Sequence, residues 1–211
     1  MAGRPSPLTV PVPVPLPRRP PGPGGDGRVR RWYERELGWA TAPGNPVRLV
    51  VGHRFDVLDV PLEAGRAALR RLGPPLSPVA VRADRMQLLV AAGGAEELPG
   101  LLRWLEWGAL DLDLVGLGEG ALMDAPAPPG AGPWPRPPGQ GTPQGAAVWL
   151  RPPEPGCETG TSLPALSALS AGPAVGGGEG APDLVRLVST LATQCHRVRL
   201  RRACGRPPES S

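Results

Sequence analysis

The stretch LVVGHRFDVLDVPLEAG, Leu49–Gly65, decides how this chain folds. Two β-type runs flank Gly52, His53 and Arg54: VRLVVG over 47–52 and FDVLDV over 55–60. Their Val, Leu and Phe side chains suit a pleated, half-buried surface. Pro61 closes the second run because its ring nitrogen has no N–H for a ladder. LEAGRAALRRL over 62–72 then reads as a short helix ending at Gly73 and Pro74. Strands and helix mixed along one chain point to an α+β fold.

Upstream, RVRRWYEREL over 28–37 puts Val29, Trp32, Tyr33 and Leu37 at helical spacing, with Gly38 as its stop. A turn through PGNP (43–46) leads into the first strand. Downstream, VAVRA (79–83) and RMQLLVAA (85–92) predict a hairpin with a tight turn at Ala83 and Asp84. EELPGLLRWLEWG (96–108) is helical, with Leu98, Leu101, Leu102 and Leu105 on one face. ALDLDLVG (109–116) alternates cleanly and predicts a strand, with Leu110, Leu112 and Leu114 inward and Asp111 and Asp113 together on the opposite face. ALMDAP (121–126) reads as its hairpin partner across Gly116–Gly120, and AAVWL (146–150) as one more short strand. The strongest helix is PDLVRLVSTLATQCHRVRLRR (182–202), where Leu184, Leu187, Val188, Leu191, Cys195 and Val198 keep one apolar face.

The 211 residues include 30 Gly and 32 Pro, unevenly spread. That bias predicts a disordered Pro/Gly-rich arm over 1–27, a folded domain over 28–153 and a flexible linker over 154–180. A C-terminal amphipathic basic helix over 181–204 and a tail over 205–211 complete the division. All 23 basic residues are Arg, and Ile is absent as well, a bias that a high-GC bacterial genome explains. Without Lys, a Schiff-base lysine and an ordinary P-loop are both excluded. Charge is asymmetric: residues 1–31 carry six Arg against one Asp, 196–211 five Arg against one Glu, and 32–195 twelve Arg against seventeen acids. Basic ends suit nucleic acid or other anionic partners, and equally suit simple solubility. Cys157, Cys195 and Cys204 form no disulfide or zinc spacing, so free thiols in a reducing cytoplasm are expected. Neither a signal peptide nor a membrane-spanning run is expected, so no membrane partner is.

Only two histidines exist, His53 and His196, and no G-x-S-x-G elbow accompanies them, which argues against a hydrolase triad. GLGEG (116–120) lies between two predicted strands, so a turn accounts for it better than a dinucleotide loop. Asp56 and Asp59, three apart on one strand, face opposite sides. If that strand neighbours 109–115, Asp59 joins Asp111 and Asp113 in an acidic cluster, the hardware of Mg²⁺- or Mn²⁺-dependent phosphoryl transfer. The alternative is that these acids are the solvated side of half-buried strands.

The order of segments resembles the N-terminal domain of bifunctional DNA primase/polymerases (Prim-Pol), in the archaeo-eukaryotic primase superfamily. The resemblance runs through a helix into LGWATAP (37–43), the stretch 49–65, LDLDLVGLGEGALMDAPAPPG (110–130) and VWLRPP (148–153), covering roughly residues 28–153. It implies a Prim-Pol-like mixed or antiparallel sheet with packed helices. Asp59 matches the first acid of the family's D-x-D pair and Asp113 its third acid, with Asp111 an unmatched neighbour. Pro61 stands at the second acid and Gln87 at or near the nucleotide-binding histidine. Two hallmark positions are therefore replaced, and the chain resembles a degenerate member. Three expectations follow. The first is a nucleotide- or DNA-binding domain with little or no transfer, contacting nucleic acid through Arg48, Arg54, Arg82 and Arg85 and stacking on some of Trp32, Trp39, Trp104, Trp107 and Trp149. The second is an active primase/polymerase binding Mg²⁺ or Mn²⁺ through Asp59, Asp111 and Asp113. The third is a non-catalytic module that binds a protein partner through its Pro-rich arm or C-terminal helix.

Overall fold

The computed structural model describes residues 26–73, 77–129, 146–155, 163–165 and 184–204. Residues 1–25 of the expected arm, most of the linker and the tail lie outside the described residues, while Asp26 and Gly27, expected in the arm, open the first helix. Strand β3 (Asp56–Pro61) is the middle of the architecture. Val57 faces one side, among Tyr33, Trp39, Phe55 and Leu89, while Leu58 and Val60 face the other, among Met86, Leu88 and Leu191. A strand apolar on both faces needs cover on both, and the chain builds a layer on each side.

Around β3 lie β4 (Val79–Arg82), β5 (Arg85–Val90), β6 (Val115–Leu117) and β8 (Val148–Arg151). They form a five-stranded antiparallel sheet in the order β6-β3-β5-β4-β8. Helices α2 (Leu62–Leu72), α3 (Gly94–Trp104) and α4 (Leu184–Cys204) cover one face. The other face meets a smaller antiparallel sheet of β1 (Thr41–Ala42), β2 (Arg48–Val50) and β7 (Leu122–Asp124), in the order β1-β2-β7. The α+β class and the antiparallel pairing are thus as expected.

Local chemistry fixes several of these elements. Helix α1 (Asp26–Arg31) runs into a π turn over Trp32–Glu36 and ends before Gly38, whose φ is +65°. Tyr33 is buried there; its hydroxyl donates to the Pro126 carbonyl at 2.7 Å and accepts from Trp149 Nε1 at 3.0 Å. Helix α2 begins directly where β3 ends, and its buried Ala64, Gly65 and Ala68 let it lie close on β5. A Cβ at Gly65 would come within 2.4 Å of Met86 Sδ. The β4–β5 hairpin turns on Ala83 and Asp84, with Ala83 at φ +50°, a conformation that costs a residue with a Cβ.

Two expectations fail between β6 and β7. Only Val115 and Gly116 of the expected strand 109–116 pair with a neighbour, in a short strand that runs on to Leu117. The preceding residues close on themselves: Leu110 N donates to Trp107 O at 3.0 Å and Leu112 N to Leu110 O at 2.9 Å. Leucine alternation survives only in part, with Leu114 buried and Leu110 exposed. Nor is β7 the hairpin partner of β6; it pairs with β2 in the smaller sheet. GLGEG is therefore a crossing between sheets, where Gly116 and Gly118 lie against Ala95 at the start of α3. Among the described residues no helix is long and apolar enough to cross a membrane.

Candidate functional site

The ladder registers line up a charged row across three strands. On β3 and β5, Asp59 stands opposite Gln87 and Pro61 opposite Arg85. On β3 and β6, Asp59 stands opposite Val115. Asp113, two residues before Val115 and outside the paired stretch, lines one cleft with Pro61. The row is thus Arg85, Pro61 and Asp113, with Gln87 and Asp59 next to it.

Arg85 binds this row together. Its Nε donates to Asp59 Oδ1, its Nη2 to the Asp59 carbonyl at 3.2 Å, and its Nη1 to Asp113 Oδ1 at 2.5 Å. Gln87 Nε2 donates to the other Asp59 oxygen at 3.0 Å. The pairs are partly withdrawn from water: side-chain exposure is 14% for Asp59, 27% for Arg85 and 47% for Asp113. Burial alone would lower the Arg85 pKa, but hydrogen bonds and charge from Asp113 and Asp59 outweigh it and raise the pKa overall. Gln87 Oε1 is buried and accepts no hydrogen bond among the described residues. Pro61 carries no polar side chain, so the guanidinium passes beside it unopposed.

A cleft of about 450 Å³ opens beside this row, with Pro61 and Asp113 on one wall and Cys195, Arg199 and Arg202 of α4 on another. Cys195 Sγ donates to the Asp113 carbonyl at 3.6 Å, and burial, then the Asp113 charge, push its thiol up to about 12. Such a thiol is inert, because the thiolate is the reactive form.

The remaining candidates are dispersed. Asp111 still lines the cleft but takes no part in the Arg85 cluster, since the segment holding it is turned rather than extended; its side chain is 94% exposed and lies 3.7 Å from Arg199. Asp56 faces the helices and accepts the Ala95 amide at the start of α3, at 2.9 Å. Arg82 pairs with Asp124 at 2.9 Å, and Arg48 stands opposite Asp124 on the neighbouring strand. Arg48 and Arg54 are exposed, and neither makes an ion pair among the described residues. Of the tryptophans, Trp39 is buried against Phe55, Trp107 lies beside His196, and Trp104 is 71% exposed.

The divalent cation that the resemblance implies would need free carboxylate oxygens here. Both Asp59 oxygens and one Asp113 oxygen are already hydrogen-bonded to Arg85 and Gln87. A cation there would also face the guanidinium's positive charge. Among the described residues no group of three or more His, Cys, Asp and Glu is placed to hold a metal ion. As arranged, these residues do not fit Mg²⁺ or Mn²⁺. Sequence reasoning assigned Arg85 to nucleic acid and missed its place between the two acids; no motif signals that place, because Arg85 stands opposite Pro61 through the long-range β3–β5 pairing. No protein-family model, curated protein or solved structure matches the chain.

Proposed function

We propose that this chain is a degenerate Prim-Pol-like domain that binds DNA or nucleotides and does not transfer nucleotidyl groups. The observation that carries the reading is the Arg85 guanidinium between Asp59 and Asp113. Nucleotidyl transfer needs carboxylates free to hold metal ions that neutralise developing charge. Here the acids that match the family pattern are neutralised internally, and a proline takes the place of the second one. Exposed Arg48 and Arg54 supply sequence-independent attraction to phosphates, which weakens as salt rises. The reading sets the protein in a reducing cytoplasm, in keeping with free Cys195 and Cys204.

The test uses the full chain with a labelled single-stranded oligonucleotide across a salt series, beside primer extension with Mg²⁺ or Mn²⁺. The expected result is salt-dependent binding without incorporation. Incorporation that Asp59→Ala abolishes would establish the metal-dependent enzyme instead. Absence of both binding and incorporation would favour a protein-interaction module, a reading that has the exposed Val148 and Leu150 on edge strand β8 in its support.

A further inference from the structure

A second basic feature lies on the helical face of the large sheet, away from the Asp59 row. Between α2 and α4 runs a groove of about 620 Å³, lined by Arg70 and Arg71 from one helix and Gln194, Arg197 and Arg201 from the other. On α4 the three polar lining residues fall at i, i+3 and i+7, one stripe of the helix, with Leu200 beside them. Arg199 and Arg202, which reach Asp111 and Asp113, lie on a different stripe. Glu63 is the one acid among the described lining residues, and it is paired with Arg201 at 2.7 Å.

Arg70, Arg71 and Arg197 make no ion pair among the described residues. Three like charges around one groove repel each other unless an anion joins them. The dipole of α2 accounts for Arg70 and Arg71 at its C-terminal turn, yet not for Arg197. Gln194 is the independent observation. It sits in the buried stripe of α4 between Leu191 and Val198, is 5% exposed and lines the groove. Its Nε2 has no hydrogen-bond partner among the described residues. An unmet donor beneath three unpaired guanidinia calls for an acceptor with negative charge.

We propose that the α2–α4 groove binds a phosphoryl-bearing anion, gripped by Arg70, Arg71 and Arg197, with Gln194 donating from the floor. The volume matches that of small-ligand sites. Among the described residues its lining carries no aromatic ring, so the groove recognises phosphate and has no surface on which to stack a base. The site stands independently of the Prim-Pol reading, because none of its residues belongs to the Asp59 row.

The test is calorimetric titration of the full chain with inorganic tripolyphosphate at low salt. Saturable binding at one site is expected, weakened at least roughly tenfold in Arg70→Ala/Arg197→Ala. Gln194→Leu, an apolar replacement within an apolar stripe, keeps the fold and weakens binding by about threefold or more. Arg66→Ala, on α2 but outside the groove, leaves binding unchanged. Competition identifies the source: displacement by ATP alone marks a nucleotide or polyphosphate, and displacement by an oligo-dT strand as well marks a sugar–phosphate chain. Either supports the groove as a phosphate site. Failure to saturate, equal losses in Arg66→Ala and the double variant, or an undiminished double variant would overturn it.

Discussion

Arg85 neutralises two carboxylates that would otherwise repel each other on one face of the large sheet. Replacing it by Met keeps the stem and removes the charge, leaving the mostly buried Asp59 with only Gln87. Breaking a partly buried charged network on one side costs about 1–3 kcal/mol, less than for a fully buried pair because Arg85 and Asp113 still reach water. Urea unfolding of Arg85→Met reads that loss directly. In Arg85→Met/Asp59→Asn the stranded charge disappears, so the double variant is more stable than the summed single losses predict. Freed of the guanidinium, Asp59 and Asp113 are open to a cation: Mn²⁺ raises the unfolding midpoint of Arg85→Met and leaves the wild type unmoved. Equal Mn²⁺ effects on both would count against Arg85 as the group that closes the site. Motif order brought Asp59, Gln87 and Asp113 into view from the sequence. What joins them was hidden, because it depends on the long-range register of β3 with β5 and not on any motif.

At the scale of elements, close approach matters more than helix propensity. Gly65 stands mid-helix in α2, where alanine would ordinarily be favoured by about 1 kcal/mol. Here its missing Cβ makes room for Met86, whose Sδ and Cβ lie 2.4 and 3.0 Å from where that carbon would be. Overpacking of this kind costs about 1–3 kcal/mol, so Gly65→Ala is expected to lower stability despite the propensity gain. Thermal unfolding gives the sign, and a stabilised variant would mean that α2 shifts freely on β5. Helix α2, the β4–β5 hairpin and α4 were legible because each carries a strong period and a stop signal. The segment 109–114 misled for the same reason. Leucine alternation holds its hydrophobic side chains partly inward whether the backbone pairs or turns, and pairing is a property of the neighbour. Asp111 is displaced with it, out of the cluster where a strand would have put it.

Across the whole molecule, the division at residue 153 follows Pro and Gly content, whereas burial follows α4. Composition separates 28–153 from the C-terminal helix, but a stripe of Leu and Val cannot say which surface it covers. In the fold that stripe closes the same core as β3, β5, α2 and α3. Its arginines also reach back: Arg199 to Asp111, Arg201 to Glu63 and Arg202 to Asp113. These pairs are exposed and each adds little, so the helix is held by its apolar face. Leu184, Leu187, Val188, Leu191 and Val198 are all buried. At about 1.5–3 kcal/mol for each side chain, their removal matches the ~5–15 kcal/mol that holds a typical domain folded. A chain ending at Pro153 is therefore expected to lose cooperative urea unfolding and to bind a hydrophobic dye, with its helical signal surviving only in part. Adding back a peptide of residues 182–204 should restore the cooperative transition, because the helix acts through contacts and not through connectivity. A truncated chain that unfolds as sharply as the full protein would make α4 an appendage, and the groove between α2 and α4 would then be an interface that opens.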